Sequence, residues 1–176
     1  MKKLLIVVDL QKDFVDGALG SAQAVAIVPN VVKKIENFDG DIIVTYDTHG
    51  EDYMQTQEGK HLPVPHCIKD TAGWQLDEKV QAALDQRTYT AVEKPTFGST
   101  ALPELIRTVY DPDQVEIELC GLCTDICVVS NALLLKANFL ETKVSVDAAC
   151  CAGVTVESHN AALATMKMCQ VNVIGG

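Results

Sequence analysis

The amino-acid sequence predicts an α/β protein: a single three-layer α/β/α domain over residues 1–176, Rossmann-like, with a mainly parallel sheet of roughly six strands. Three observations carry this. Short β-rich runs alternate with helical patterns along the whole chain, as strand–helix crossovers require. The first run is nearly continuous aliphatic, as a strand covered by helices on both faces must be. Four consecutive strands also end at polar or reactive residues, at the edge where such a sheet keeps its crevice.

Taken in order, Lys3 to Asp9 is the first strand. Ala26 to Phe38 reads as a helix, because Ile27, Val31, Ile35 and Phe38 share one face and Pro29 suits a first turn. Asp41 to Tyr46 is the second strand. Asp47 to Thr71 is long, polar and irregular, with His, Gly and Pro throughout, and a loop of that length inside a compact domain is usually functional. Trp74 to Asp85 reads as a helix, Thr88 to Glu93 as a strand and Ala101 to Tyr110 as a helix. Gln114 to Cys120 follows as a strand, Asp125 to Asn138 as a helix and Glu141 to Asp147 as a strand. Val156 to Met168 is the last helix and Gln170 to Ile174 the last strand.

Composition narrows the function. Fourteen basic against 24 acidic residues give a formal charge of −10 with no basic block, so nucleic acid and anionic membrane are poor partners. The start, Met1-Lys2-Lys3 and then Leu4 to Val8, loosely resembles a signal peptide, but the apolar run is too short and Asp9 ends it without a cleavage site. A cytoplasmic protein is therefore expected. Seven cysteines without a secretory signal read better as free thiols than as a disulfide framework. No GxGxxG or P-loop pattern points to a nucleotide.

The most informative stretch is Gly121-Leu122-Cys123-Thr124-Asp125-Ile126-Cys127, where a strand turns sharply into a helix. The free amides of a first helical turn favour thiolate over thiol, so Cys127 is a candidate nucleophile, though alone it reads equally well as core. Cys120 and Cys123 form a CxxC that would suit a redox pair or half a zinc site. Asp9, after five apolar residues, is either a turn cap or a buried general acid/base. Lys94, made extended by Pro95, is a lysine able to face the crevice and stabilise an anion. The long loop carries Asp47-Thr48-His49, Glu58, His61 and His66, carboxylates and imidazoles suited to zinc, manganese or iron(II).

Five segments together resemble the isochorismatase-like cysteine hydrolases, most closely the nicotinamidase (pyrazinamidase) branch. They are Val7 to Phe14, Asp47-Thr48-His49, His66 to Lys69, Lys94 to Thr100 and Gly121 to Val128, and their order and spacing span the chain. The resemblance implies cysteine-dependent hydrolysis of a small-molecule amide, nicotinamide first, with another small amide or carbamoyl compound as the alternative. It implies a triad of Asp9, Lys94 and Cys127, in which Asp9 moves protons and Lys94 holds Cys127 as thiolate. It also implies a cis peptide at Leu122–Cys123, with the backbone amides of Cys123 and Cys127 forming an oxyanion hole. A divalent metal, zinc before manganese or iron, would sit on Asp47, His49 and His66, with Glu58 as fourth ligand and His61 as its competitor. Phe14 and Trp74 are candidate walls for a flat ring, though either suits the core equally. A homo-oligomer is expected from the likeness alone.

Overall fold

The computed structural model describes residues 1–176. Six strands, β1 (Lys2–Val8), β2 (Asp41–Asp47), β3 (Thr90–Lys94), β4 (Val115–Leu122), β5 (Val144–Ala152) and β6 (Asn172–Ile174), form one sheet in the order β3-β2-β1-β4-β5-β6. Every pairing is parallel. The chain runs outward from β1 to β3, returns, and runs outward again from β4 to β6. Between β1 and β4 the strand order reverses, and there the carboxyl ends leave a crevice.

The alternation of side chains along the strands builds two cores, one on each sheet face. Leu5 and Val7 of β1 join Val28, Val31 and Ile35 of α2 (Ala22–Asn37) and Val80 and Leu84 of α4 (Glu78–Leu84). Leu4, Ile6 and Val8 join Leu102 and Ile106 of α5 (Ala101–Val109), Leu135 of α6 (Val129–Asn138) and Met166 of α7 (Val156–Met168). Two short helices, α1 (Lys12–Val15) and α3 (Gln57–His61), lie in the loops above the crevice. No helix is long and apolar enough to cross a membrane.

Several expectations needed correction. Helix α2 starts at Ala22, because the Ser21 hydroxyl accepts the Ala24 N–H and caps it there. Pro29 therefore sits in the helix interior, on an exposed face where water can reach the carbonyl it leaves unbonded. The helix expected from Trp74 starts only at Glu78, capped by Asp77, because the Ala72–Trp74 stretch is a separate 3-10 turn. The loop after β2 is not wholly irregular: Tyr53–Gln55 is a 3-10 turn and α3 follows it. The helix expected from Asp125 opens as a π-turn over Thr124–Val128, and β5 runs on to Ala152.

Candidate functional site

The strand ends deliver the expected groups to one place. Asp9 follows β1 with a left-handed backbone (φ 48°), a conformation aspartate tolerates better than most residues. Its side chain is fully buried. The Thr45 hydroxyl donates to Asp9 Oδ1 at 2.7 Å. Asp9 Oδ2 forms a buried ion pair with Lys94 Nζ at 2.6 Å and has no further partner, so one of its lone pairs stays free. Asp47 and Lys94 are the last residues of β2 and β3 and stand side by side in the register. The Lys94 ammonium, 1% exposed, faces Cys127 Sγ at 3.4 Å and Asp47 Oδ1 at 3.7 Å, and donates to the Thr96 carbonyl at 3.0 Å.

Cys127 enters from β4 through Gly121 and the π-turn. Gly121 has φ 125°, and a Cβ there would lie 2.1 Å from the Val8 carbonyl oxygen, so only glycine lets β4 pass β1 this closely. The Leu122–Cys123 peptide is cis, as the resemblance implied. The Cys123 carbonyl accepts from the N–H groups of Ile126 and Val128, straddling Cys127, whose own amide does not donate to it. The turn is tied to α7 by a Thr124 Oγ1–His159 Nδ1 bond of 2.7 Å and to the β5–α7 connection by Asp125 accepting the Val154 N–H.

The electrostatics bear on the expectation of a thiolate. Burial, then the Asp9 charge, pushes the Cys127 thiol well up, and Lys94 offsets only part of this. Both causes favour the neutral thiol over the thiolate. The positive end of one helical turn does not repay removing a sulfur anion from water beside a carboxylate. Burial also raises Asp9 despite Lys94, so its carboxylate takes a proton more readily than in water. Lys94 is held above its ordinary value: burial lowers it, but Asp9 foremost outweighs that. The CxxC reading loses ground, because Cys120 is fully buried with its thiol pushed well up and burial pushes Cys123 up to about 12.

Beside these three residues stand Asp47, His49, Glu58 and His66, whose ligand atoms all lie within 4.8 Å of one another. Asp47 Oδ2 is 3.0 Å from His49 Nε2 and 3.4 Å from His66 Nε2. Glu58 Oε1 is 3.6 Å from His49 Nε2 and 3.7 Å from His66 Nε2. Four ligands ~2.1 Å from a tetrahedral ion stand ~3.4 Å apart, so the set fits a divalent cation of zinc's size. His66 Nδ1 meets the Val64 carbonyl at 2.8 Å, which places its proton there and turns the Nε2 lone pair toward the cluster. His61 is exposed, with Nδ1 turned to the Gln57 carbonyl, and does not compete with Glu58.

Of the two candidate walls, Phe14 is buried with its ring 5.4 Å from that of His66, beside the cluster. Trp74 is half-buried and leans back on Tyr46 at 5.1 Å, its indole N–H donating to Thr48 Oγ1. Sequence reasoning missed Tyr53, whose ring packs edge-on at 4.8 Å from His49 and lies 5.0 Å from His66. It assigned no role to Gln11 or Asn131, two fully buried carboxamides. Gln11 accepts the Asp47 N–H and donates to the carbonyls of Asp47 and Trp74, all within 2.9 Å, pinning the β2 end to β1. An aromatic in a polar loop was the available signal for Tyr53, and an amide two residues beyond a strand-end carboxylate for Gln11.

The chain is similar to known proteins along its full length. The isochorismatase domain model matches residues 3–176. The nicotinamidase/pyrazinamidase of Mycobacterium tuberculosis is 26% identical over 98% of each chain. The crystal structure of a nicotinamidase/pyrazinamidase from Bacillus subtilis superposes with a TM-score of 0.86 at 26% identity, covering 99% of this chain and 100% of that one. The pyrazinamidase of Pyrococcus horikoshii, solved in complex with zinc, gives 0.80 at 25% identity over the full length of both. With the domain model matched over 174 residues, nearly the whole sequence, the chain belongs to the isochorismatase family.

Proposed function

We propose that this protein is a nicotinamidase, a cysteine hydrolase that converts nicotinamide and water to nicotinate and ammonia. The observation that carries the reading is the buried contact of Lys94 with Asp9 and Cys127, at 2.6 and 3.4 Å, one strand end away from a four-ligand cation site. The relatives named nicotinamidase along the full chain supply the substrate.

The Cys127 sulfur attacks the carboxamide carbon as its proton passes to the free lone pair of Asp9 Oδ2. Because burial and the Asp9 charge favour the neutral thiol, this transfer accompanies attack instead of preceding it. The developing oxyanion meets the backbone amides of Cys123 and Cys127; losing one such donor typically costs ~100–1000-fold in rate. Asp9 then hands the proton to the nitrogen, the C–N bond breaks, ammonia leaves and a thioester remains on Cys127. Water, giving a proton to Asp9, attacks the thioester carbon; the C–S bond breaks, the acid leaves and the proton returns to sulfur. Lys94 stays charged throughout and offsets negative charge on Asp9 and on sulfur in turn. Asp47, His49, Glu58 and His66 would hold a divalent ion, which supplies a Lewis-acidic anchor for a ring nitrogen. Phe14 walls the ring.

Ammonia release from a panel of small amides tests the reading. Nicotinamide and pyrazinamide are expected to lead the panel, and Cys127→Ala to lose turnover with an unchanged circular-dichroism spectrum. Turnover of nicotinamide by Cys127→Ala, or a preference for carbamoyl compounds over nicotinamide, would refute it.

A further inference from the structure

Asn131 lies on α6 one helical turn beyond Cys127 and has no contact with water. Its side chain makes three hydrogen bonds, all to backbone. Oδ1 accepts the Ser99 N–H at 2.8 Å, and Nδ2 donates to the Cys127 carbonyl at 2.8 Å and the Phe97 carbonyl at 3.2 Å. An N–H only donates and a carbonyl only accepts, so these partners fix which end of the amide is which. Two of the three belong to the loop that follows β3, and within that loop the Thr96 carbonyl accepts from Lys94 Nζ.

We propose that Asn131 is a positioning residue, which holds the Lys94 ammonium against the Cys127 sulfur by pinning the 96–99 loop to the nucleophile's helix; this rests on the reading of Cys127 as nucleophile. A residue serving only α6 would need only the bond to the carbonyl four residues back. Asn131 instead spends one acceptor and one donor bond on a different segment. Of that segment Pro95, Thr96 and Phe97 are exposed, the last at 43%, and Ser99 alone is buried. The Lys94 ammonium is thus fixed from both sides, by β3 below and by a loop carbonyl above whose own place depends on Asn131.

Asn131→Thr separates the two functions. A threonine hydroxyl returns a bond to the carbonyl four residues back, as in many helices, but is too short to bridge to Ser99 and Phe97. The measurement is iodoacetamide alkylation of Cys127, followed by peptide mass spectrometry with the exposed Cys169 as internal control. Displacing an oriented group by about 1 Å costs up to ~100-fold, and the variant is expected to alkylate Cys127 at least ~10-fold more slowly with Cys169 unchanged. A merely structural role predicts the opposite sign, because a loosened site exposes a buried sulfur. In the wild-type protein the Ser99 amide should also be protected from hydrogen exchange, a measurement that needs no variant to fold. Alkylation at the parental rate or faster, or an unprotected Ser99 amide, would overturn the inference. A wild-type protein that releases no ammonia from nicotinamide would refute the proposed substrate and leave both readouts standing.

Discussion

Replacing Lys94 by methionine keeps most of the side-chain volume and removes the one buried ammonium of the site. Asp9, with no exposure, then loses its counter-ion at 2.6 Å. Breaking a buried pair in this way typically costs ~3–5 kcal/mol, because a lone charge stays behind. Asp9 has an escape, which is to take up a proton. From its ordinary value of 3.8, protonation costs about 1.4 kcal/mol per pH unit, hence about 4.4 kcal/mol at pH 7 and about 1.6 kcal/mol at pH 5. These figures cap what the stranded charge can cost. The sign follows: Asp9 in the variant has its folded value raised still further, so the folded state is penalised as pH rises above the unfolded value, and the penalty fades as pH falls toward it. Lys94→Met should therefore unfold in urea with a deficit of ~3–4 kcal/mol against the parent at pH 7 that shrinks to below ~2 kcal/mol at pH 5. Both proteins should be stripped with chelator first, since metal affinity is itself pH-dependent. Turnover should be lost at both pH values, because the protonated Asp9 that rescues stability is no longer a base. An equal deficit at the two pH values would refute the buried-pair account, and retained turnover would refute the role given to Lys94.

Two further substitutions probe the cation site and the crossing of β4 over β1. Glu58→Ala should weaken divalent-metal binding by at least ~100-fold, more than removal of an outer hydrogen-bond partner costs, while the exposed His61→Ala leaves it unchanged; metal analysis after dialysis reads both, and the reverse ranking would reassign the fourth ligand. Gly121→Ala places a Cβ 2.1 Å from the Val8 carbonyl oxygen at φ 125°, and a loss of at least ~3 kcal/mol, or failure to fold, is expected by denaturant titration. A loss below ~1 kcal/mol would show that the strands can part there.

The strand ends were legible because aliphatic runs and the polar residues that stop them are local signals. That is why Asp9, Asp47 and Lys94 could be placed at one edge before any coordinates were known. The candidate metal ligands were legible for the same reason, as residue types with affinity for cations concentrated in one loop. What stayed hidden depends on distant backbone. Gln11 reaches Asp47 across 36 residues, and Asn131 reaches Ser99 across 32; a local pattern registers neither partner. The start of α4 was misplaced because a periodic pattern does not register that Leu76 bridges to Gln11 and that Asp77 caps the helix. Helix position, which favours a thiolate, is local, whereas the burial and the Asp9 charge that oppose it come from tertiary structure.

The charges of the site explain why its two halves belong together. Asp9, Asp47 and Glu58 bring three carboxylates to one partly buried region, against the single ammonium of Lys94. Burial, then Asp47, holds Glu58 above its ordinary value, and carboxylate contacts raise His66 in spite of burial. The shift of His66, raised by carboxylates against burial, is the sign of a region short of positive charge. The deficit is two units, the charge of the cation that the four ligand atoms are spaced to receive. Lys94 reaches Asp9 on one side and Asp47 on the other, so any charge placed on Asp47 is felt by the proton-moving carboxylate through one side chain. Removing metal should therefore disturb the proton chemistry as well as substrate orientation, and kcat should fall along with a rise in KM. A loss confined to KM would show that the two halves act separately.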